Sequence, residues 1–232
     1  DITFTAKPGQ TTAFIGSTGS GKSTLVNLIP RFYDVTDGKI TIDGTDIRSI
    51  TQHELRERLG YVPQKGVLFS GDIRSNILYG NPNGSEEEMI EAAEISQAAE
   101  FIGEKKEKYQ SPIAQGGSNV SGRQKQRLSI ARAVAKHPDV YIFDDSFSAL
   151  DYKTDVKLRN ALKAKTKEST VLIVAQRIST ILHAEQIIVL DDGRVAGKGT
   201  HRELLKNCEE YYQIASSQLS EKELEQDMKE VG

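Results

Sequence analysis

Short apolar runs alternate with longer stretches in which apolar residues recur every three or four positions. Thr11 to Ile15, Val140 to Phe143, Val171 to Ala175 and Ile187 to Leu190 are continuous apolar runs, as expected of strands buried on both faces of a parallel sheet. Ile2 to Thr5 alternates like an edge strand, and Lys39 to Ile42 leads into the turn pair Asp43-Gly44. Asp192-Gly193 before Arg194 to Ala196 is a hairpin signal. Helical spacing predicts helices from Ser23 to about Ile29, over Glu86 to Phe101 and over Arg123 to Lys136. Strand signals are scarce between Phe69 and Ala135, where a Gly/Ser/Asn-rich loop spans Gln115 to Ser121. The pattern predicts an α/β fold with a largely parallel sheet and an inserted α-helical subdomain. The expected division is a core with its β part over 1–66 and 130–215, a helical subdomain over 67–129, and a charged tail over 216–232. The tail, with Leu219, Leu224 and Met228 as its few apolar positions, reads as a solvated helix or a frayed end.

Composition narrows this picture only slightly. The 232 residues are 37% hydrophobic and 27% charged, which suits a soluble globular chain. A net charge of −3 gives no support for nucleic acid as a partner. The single cysteine, Cys208, excludes an internal disulfide framework, fits a reducing compartment and has no nucleophile context. The apolar runs are too short to span a bilayer. No signal-peptide pattern is present, and the chain opens at Asp1 in mid-pattern without methionine, as an excised piece of something longer is expected to.

The chemistry is concentrated in a few places. Gly16-Ser17-Thr18-Gly19-Ser20-Gly21-Lys22-Ser23, followed by Thr24, fits the phosphate-binding pattern G-x-x-x-x-G-K-[ST] between a predicted strand and a predicted helix. Glycines permit a sharp turn and close approach of backbone to phosphate. The loop N–H groups form an anion site, Lys22 can reach the β- and γ-phosphates, and the Ser23 hydroxyl can ligate Mg²⁺. Asp144 ends the run Val140-Tyr141-Ile142-Phe143, at the carboxyl end of a buried strand, where ligands sit in open α/β sheets. It is expected to hold Mg²⁺ through water or Ser23; the bland alternative is a helix N-cap. Ser121-Gly122-Arg123-Gln124 opens a helix with Leu128, Ala131 and Ala135 on one face, and offers hydroxyl and N–H donors to an anion.

With Tyr61-Val62-Pro63-Gln64, Leu68-Phe69-Ser70-Gly71-Asp72-Ile73, Ser148-Ala149-Leu150-Asp151 and Gly199-Thr200-His201-Arg202-Glu203-Leu204-Leu205, these motifs follow one another in the order of a known family. The chain resembles the nucleotide-binding domain of an ABC transporter of exporter type, over nearly its whole length. The resemblance implies a RecA-like P-loop NTPase core, ATP and Mg²⁺ as ligands, and Ser23, Gln64 and Asp144 around the metal. It also implies a signature (Ser121, Gly122, Arg123, Gln124) that acts in trans on a second domain's ATP, and Asp151 in a D-loop. Gln64's segment would pass motion to membrane helices, with the region between Gln64 and Ser121 as their contact surface.

Four departures from the family pattern are more informative than the matches. Asp145 stands where the family has a glutamate base; it is one methylene shorter, which withdraws the carboxylate by about 1.5 Å. Gln176 stands where the family has histidine, and an amide cannot titrate near neutral pH. His183, seven residues on, reads as a surface residue. Gln115 replaces a frequent glutamate, and Arg123 replaces the second signature glycine, adding bulk where backbone approaches phosphate. Asp145 with Gln176 resembles the degenerate half of heterodimeric bacterial multidrug exporters, which implies ATP binding with slow hydrolysis. Partners implied are the chain's own transmembrane domain and a sister ABC subunit, at the cytoplasmic face of the bacterial membrane, with the isolated domain a monomer. The adenine-stacking aromatic expected upstream of Gly16 has no match, since Phe4 and Phe14 read as strand core, so weakened ATP affinity is expected. The alternatives are a near-inactive regulatory nucleotide-binding module and a soluble ABC ATPase.

Overall fold

The computed structural model describes residues 2–229. Strands are β1 Thr11–Gly16, β2 Thr41–Ile42, β3 Thr45–Asp46, β4 Leu59–Val62, β5 Gly71–Asp72, β6 Pro112–Ile113, β7 Val140–Asp144, β8 Thr170–Val174, β9 Gln186–Asp191 and β10 Arg194–Gly199. Helices are α1 Lys22–Asn27, α2 Gln52–Glu57, α3 Ile73–Ile77, α4 Glu86–Ile95, α5 Ala99–Gly103, α6 Gly122–Ala135, α7 Tyr152–Lys165, α8 Ile178–Ile181, α9 His201–Asn207, α10 Glu209–Ser216 and α11 Glu221–Lys229. Two compact units result. One comprises the residues up to Glu57 with those from Thr170 onward; the other is Arg58–Ser169.

In the first unit the strand order is β10-β9-β1-β8. β1 runs parallel to both neighbours, with Ala13 opposite Ile173 and Ile187, and β10 is antiparallel to β9. Ala13, Phe14, Ile187 and Ile188 are wholly buried, which explains their unbroken apolar pattern. The turn between β9 and β10 places Asp192 at φ 42° and Gly193 at φ 73°. Two successive positive φ values give the hairpin twist that Asp-Gly favours. Asp43 and Gly44, at φ 51° and 80°, close the β2–β3 hairpin in the same way.

The expected edge strand at Ile2 to Thr5 is not formed. Its side chains alternate between half-buried and exposed, but no strand of the described residues pairs with it. Alternation alone cannot make a strand without a ladder to join. Phe4 instead sets its edge against Phe14 at 5.3 Å, and the Gln186 amide donates to the Thr5 carbonyl at 2.9 Å.

As far as Lys229 the tail is a helix and not a frayed end, mostly exposed as expected but with Leu224 buried; residues 230–232 lie outside the described chain. α10 buries Tyr211 and Ala215, and α11 buries Leu224. His201 Nδ1 lies 2.7 Å from the Tyr211 hydroxyl, and its Nε2 lies 3.1 Å from Asp227. These contacts join the starts of α9 and α10 to α11 through side chains far apart in sequence. Cys208 is buried beside Gly197, and burial pushes its thiol pKa up, consistent with an inert cysteine.

In the second unit β4 runs parallel to β7, with Val62 opposite Phe143. α6 buries Leu128, Ala131 and Ala135, the face expected from their spacing, and also Ile130 and Val134. The helix expected over Glu86 to Phe101 is two helices. α4 starts at a capping box made by Ser85 and Glu88 and ends before Gln97, whose φ is 60°. The left-handed residue stops the helix, and the half-buried Gln97 carbonyl accepts from the Arg127 guanidinium at 2.9 Å.

Candidate functional site

The phosphate-binding loop lies in the first unit, between β1 and α1. Three of its glycines have positive φ: Gly16 at 157°, Gly19 at 85° and Gly21 at 95°. At Gly16 the reason is steric as well, because a Cβ there would lie 2.0 Å from the Leu190 carbonyl oxygen of β9. Ser20 is buried, and its carbonyl accepts from the Gly193 N–H at 3.2 Å, so the β9–β10 turn braces the loop. The Lys22 ammonium donates to the carbonyls of Gly16 at 2.9 Å and Ser17 at 2.6 Å, and to Ser20 Oγ at 3.2 Å. The lysine thus closes over its own loop, at the place where a phosphate cradled by the loop N–H groups would meet it.

The acidic pair lies in the second unit. β7 delivers Asp144 at its last position, buried, with the Tyr61 hydroxyl 3.4 Å from Asp144 Oδ2. Burial first, and the Asp144 charge second, push the Tyr61 pKa upward, so the phenol stays a hydrogen-bond donor. Asp145 departs from the strand with φ 49°, a conformation aspartate tolerates better than most side chains. It too is buried, and the Gln64 amide donates to its Oδ2 at 3.0 Å. Ser146 Oγ donates to the Val62 carbonyl at 2.8 Å, and Ser148 Oγ to the Asp145 carbonyl at 2.8 Å. Gln64 and Asp145 are therefore brought together within one unit, as are Tyr61 and Asp144.

Ser121 caps α6. Its Oγ accepts from the Gln124 N–H at 3.2 Å, and the Gln124 side-chain oxygen accepts from the Ser121 N–H at 3.0 Å. Cap and anion donor are compatible roles, since the hydroxyl hydrogen is not used by the cap. Nothing lies within 4 Å of a Cβ added at Gly122, so the backbone there is open. Ser121→Ala is expected to cost about 1 kcal/mol of stability. Thermal unfolding should then shift down by about 2–4 °C; an unchanged midpoint would contradict the cap. Asp151 caps α7, accepting from the Thr154 N–H at 3.0 Å and its hydroxyl at 2.8 Å, bonds that hold its pKa below the usual range.

Gln176 follows β8 in the first unit with its side chain exposed, and His183 is exposed in the turn after α8. Among the described residues no group of three or more His, Cys, Asp or Glu stands where it could hold a metal ion. The Ser23 hydroxyl in the first unit, and the Gln64 and Asp144 side chains in the second, each carry oxygens of the kind that hard Mg²⁺ takes alongside phosphate and water. Three contacts were not legible in the sequence. The Gln218 amide donates to the Gln176 carbonyl at 2.8 Å and accepts from the Ile178 N–H at 2.8 Å. No local pattern signals a partner 42 residues away. The Tyr61–Asp144 approach was equally invisible, although Tyr61 belongs to a motif.

The family profile described as ABC transporter matches residues 1–148. This chain belongs to the ABC transporter family, as an ATP-binding domain. An uncharacterized ABC transporter ATP-binding protein of Mycobacterium tuberculosis is 48% identical over 221 residues, covering 94% of this chain and 38% of that protein. A putative multidrug export ATP-binding/permease protein of Staphylococcus aureus is 44% identical over 218 residues, again covering 94% of this chain and 38% of the relative. A solved bacterial Atm1-family ABC exporter with ATP bound matches with a TM-score of 0.90 and 39% identity, over 94% of this chain and 38% of that one. The ATP-binding domain thus spans 38% of the length of these relatives. Its α/β architecture is that of the exporter P-loop NTPase domain. Among its described residues no helix is long and apolar enough to cross a membrane.

Proposed function

We propose that this domain binds Mg²⁺-ATP, couples it to export of a substrate through a transmembrane domain, and turns ATP over slowly at its own P-loop. Gly16 to Thr24 hold the phosphates, Lys22 neutralises the β- and γ-phosphates, and Ser23, Gln64 and Asp144 serve Mg²⁺. The metal supplies charge neutralisation at the transferred phosphoryl group. Asp145 and Gln176 take the places of the base and the γ-phosphate contact. Ser121, Gly122, Arg123 and Gln124, with Asp151 behind them, complete the ATP site of a sister subunit in a heterodimer at the cytoplasmic face of the bacterial membrane.

The observation that carries the slow turnover is Asp145: a short, buried carboxylate in a left-handed backbone, with one oxygen engaged by Gln64 at 3.0 Å. Such a group is poorly placed to align attacking water. Coupling has support in the second unit, where Val67, Phe69 and Tyr79 are exposed and large. Phe69 and Tyr79 stack at 4.4 Å, and Arg132 lies 4.8 Å from the Phe69 ring centroid. Burial lowers the Arg132 pKa to about 10, and its donors tie to the carbonyls of Val67 and Asn76. A fixed apolar platform of this kind suits a transmembrane partner's helix end.

The test uses the complete transporter with the sister P-loop disabled. After incubation with Mg²⁺-ATP, nucleotide recovered from this chain is expected to be mainly ATP for minutes, and Lys22→Ala is expected to abolish recovery. Rapid appearance of ADP at this pocket would refute slow turnover. Undiminished recovery with Lys22→Ala would refute the binding assignment.

A further inference from the structure

We propose that Gln218 is a positioning residue that sets the turn carrying Gln176, and so makes the two C-terminal helices part of γ-phosphate recognition. The inference rests on the reading of Gln176 as the γ-phosphate contact. β8 ends at Val174, and the Ala175 N–H still donates to the Phe14 carbonyl at 3.0 Å. Beyond that point the sheet no longer holds the backbone. α8 begins at Ile178, and its N-cap residue Arg177 makes no side-chain cap hydrogen bond. First-turn N–H groups need a partner from elsewhere. Gln218 supplies it: its Oε1 accepts from the Ile178 N–H and its Nε2 donates to the Gln176 carbonyl, both at 2.8 Å. One amide therefore grips the peptide on each side of Arg177, which fixes where the exposed Gln176 side chain starts from.

The clamp has its own anchor. Gln218 lies between α10 and α11, and its N–H donates to the Ala215 carbonyl at 3.0 Å. Ala215 and Leu224 are buried, Ser220 and Glu223 cap the start of α11, and His201 holds Asp227. A loop position pinned on both sides can transmit placement, where a lone flexible glutamine could not.

The experiment is competition by Mg²⁺-ATP or Mg²⁺-ADP against photolabelling of this chain by an azido-ATP, in the complete transporter under non-turnover conditions. Gln176→Ala is expected to weaken ATP about tenfold, the worth of one hydrogen bond to a charged group, and to leave ADP unchanged. Gln218→Ala is expected to weaken ATP about three- to fivefold with ADP unchanged, and to have no further effect in a Gln176→Ala background. Gln218→Glu keeps the acceptor for Ile178 but turns a carboxylate on the Gln176 carbonyl, and should reproduce the ATP loss. Equal losses for ATP and ADP, or the same loss with Gln176 already removed, would overturn the proposal. So would unaltered ATP binding in both Gln218 variants while Gln176→Ala loses affinity, an outcome that leaves the Gln176 reading intact. If Gln176→Ala itself changes nothing, that reading fails, and Gln218 has no γ-phosphate contact to position.

Discussion

Asp145→Glu combined with Gln176→His is expected to raise hydrolysis at this domain's own pocket by about 10²-fold or more, the lower end of what a positioned general base contributes. Glutamate extends the carboxylate by about 1.5 Å, and a misplacement of about 1 Å costs on the order of 10²-fold. In the present arrangement Asp145 Oδ2 is 3.0 Å from the Gln64 amide nitrogen and the carboxylate is buried. A longer side chain must leave that contact to reach out, which frees the Gln64 amide as well. Gln176→His adds a ring that can donate to the γ-phosphate and change its protonation near neutral pH. The two changes act as one unit, so Gln176→His alone should give little, and the double variant more than the sum of logarithms. A cost accompanies the gain. Position 145 has φ 49°, and glutamate lacks the short side chain that makes this region tolerable for aspartate, so a loss of about 1 kcal/mol in stability is expected. The measurement is single-turnover hydrolysis in the complete transporter with the P-loop of the proposed sister subunit disabled. ATP binding that stays intact while turnover does not rise would show that something other than these two side chains limits the site.

How much of this was legible in advance depended on whether the information was local. The hairpin turns at Asp43-Gly44 and Asp192-Gly193 and the helix start at Ser121 are each fixed by residues within a few positions of one another, and the loop Gly16 to Ser23 is announced by its own glycines although Leu190 and Gly193 of the β9–β10 hairpin brace it. Their conformations follow from φ preferences and caps, so sequence spacing was enough. Ile2 to Thr5 shows the converse: its alternation is real in the burial of its side chains, yet a strand needs a partner, and alternation says nothing about that. The helix read over Glu86 to Phe101 broke at Gln97 because the apolar period survives a left-handed residue that only backbone geometry reveals. The tail looked solvated because Leu224 is one apolar residue among charges; its burial, and the tie from Asp227 to His201, come from elements folded back on α9. The same limit hid Gln218. Side-chain identity at a site is readable when a motif names it, whereas the neighbours that hold it are chosen by tertiary structure.

Gly16→Ala is expected to be the most damaging single-methyl change in the chain, and Gly19→Ala supplies its control. At Gly16 two costs coincide. The backbone is at φ 157°, in a region that is essentially glycine's alone, which by itself costs about 1–3 kcal/mol for another residue. The added Cβ would also lie 2.0 Å from the Leu190 carbonyl oxygen, well inside any tolerable contact, and would meet Ser20 Oγ at 2.8 Å. The Ser20 hydroxyl can rotate away, but Leu190 O belongs to β9, whose register with β1 pairs Gly16 with Leu190 itself. Relief therefore requires separating two central strands, and overpacking of this kind costs typically a further 1–3 kcal/mol. Together about 2–6 kcal/mol should be lost, a large part of the stability of an ordinary domain. Gly19, at φ 85°, has nothing within 4 Å of its added Cβ, so Gly19→Ala should cost only the conformational penalty of about 1–2 kcal/mol. Denaturant titration of both variants beside the parent chain reads the difference. Nucleotide binding adds a second readout, since the Gly16 carbonyl is one of the acceptors that hold Lys22. Equal losses at the two glycines would mean that backbone conformation alone fixes the loop; a clearly larger loss at Gly16 means that the strand behind it contributes as well.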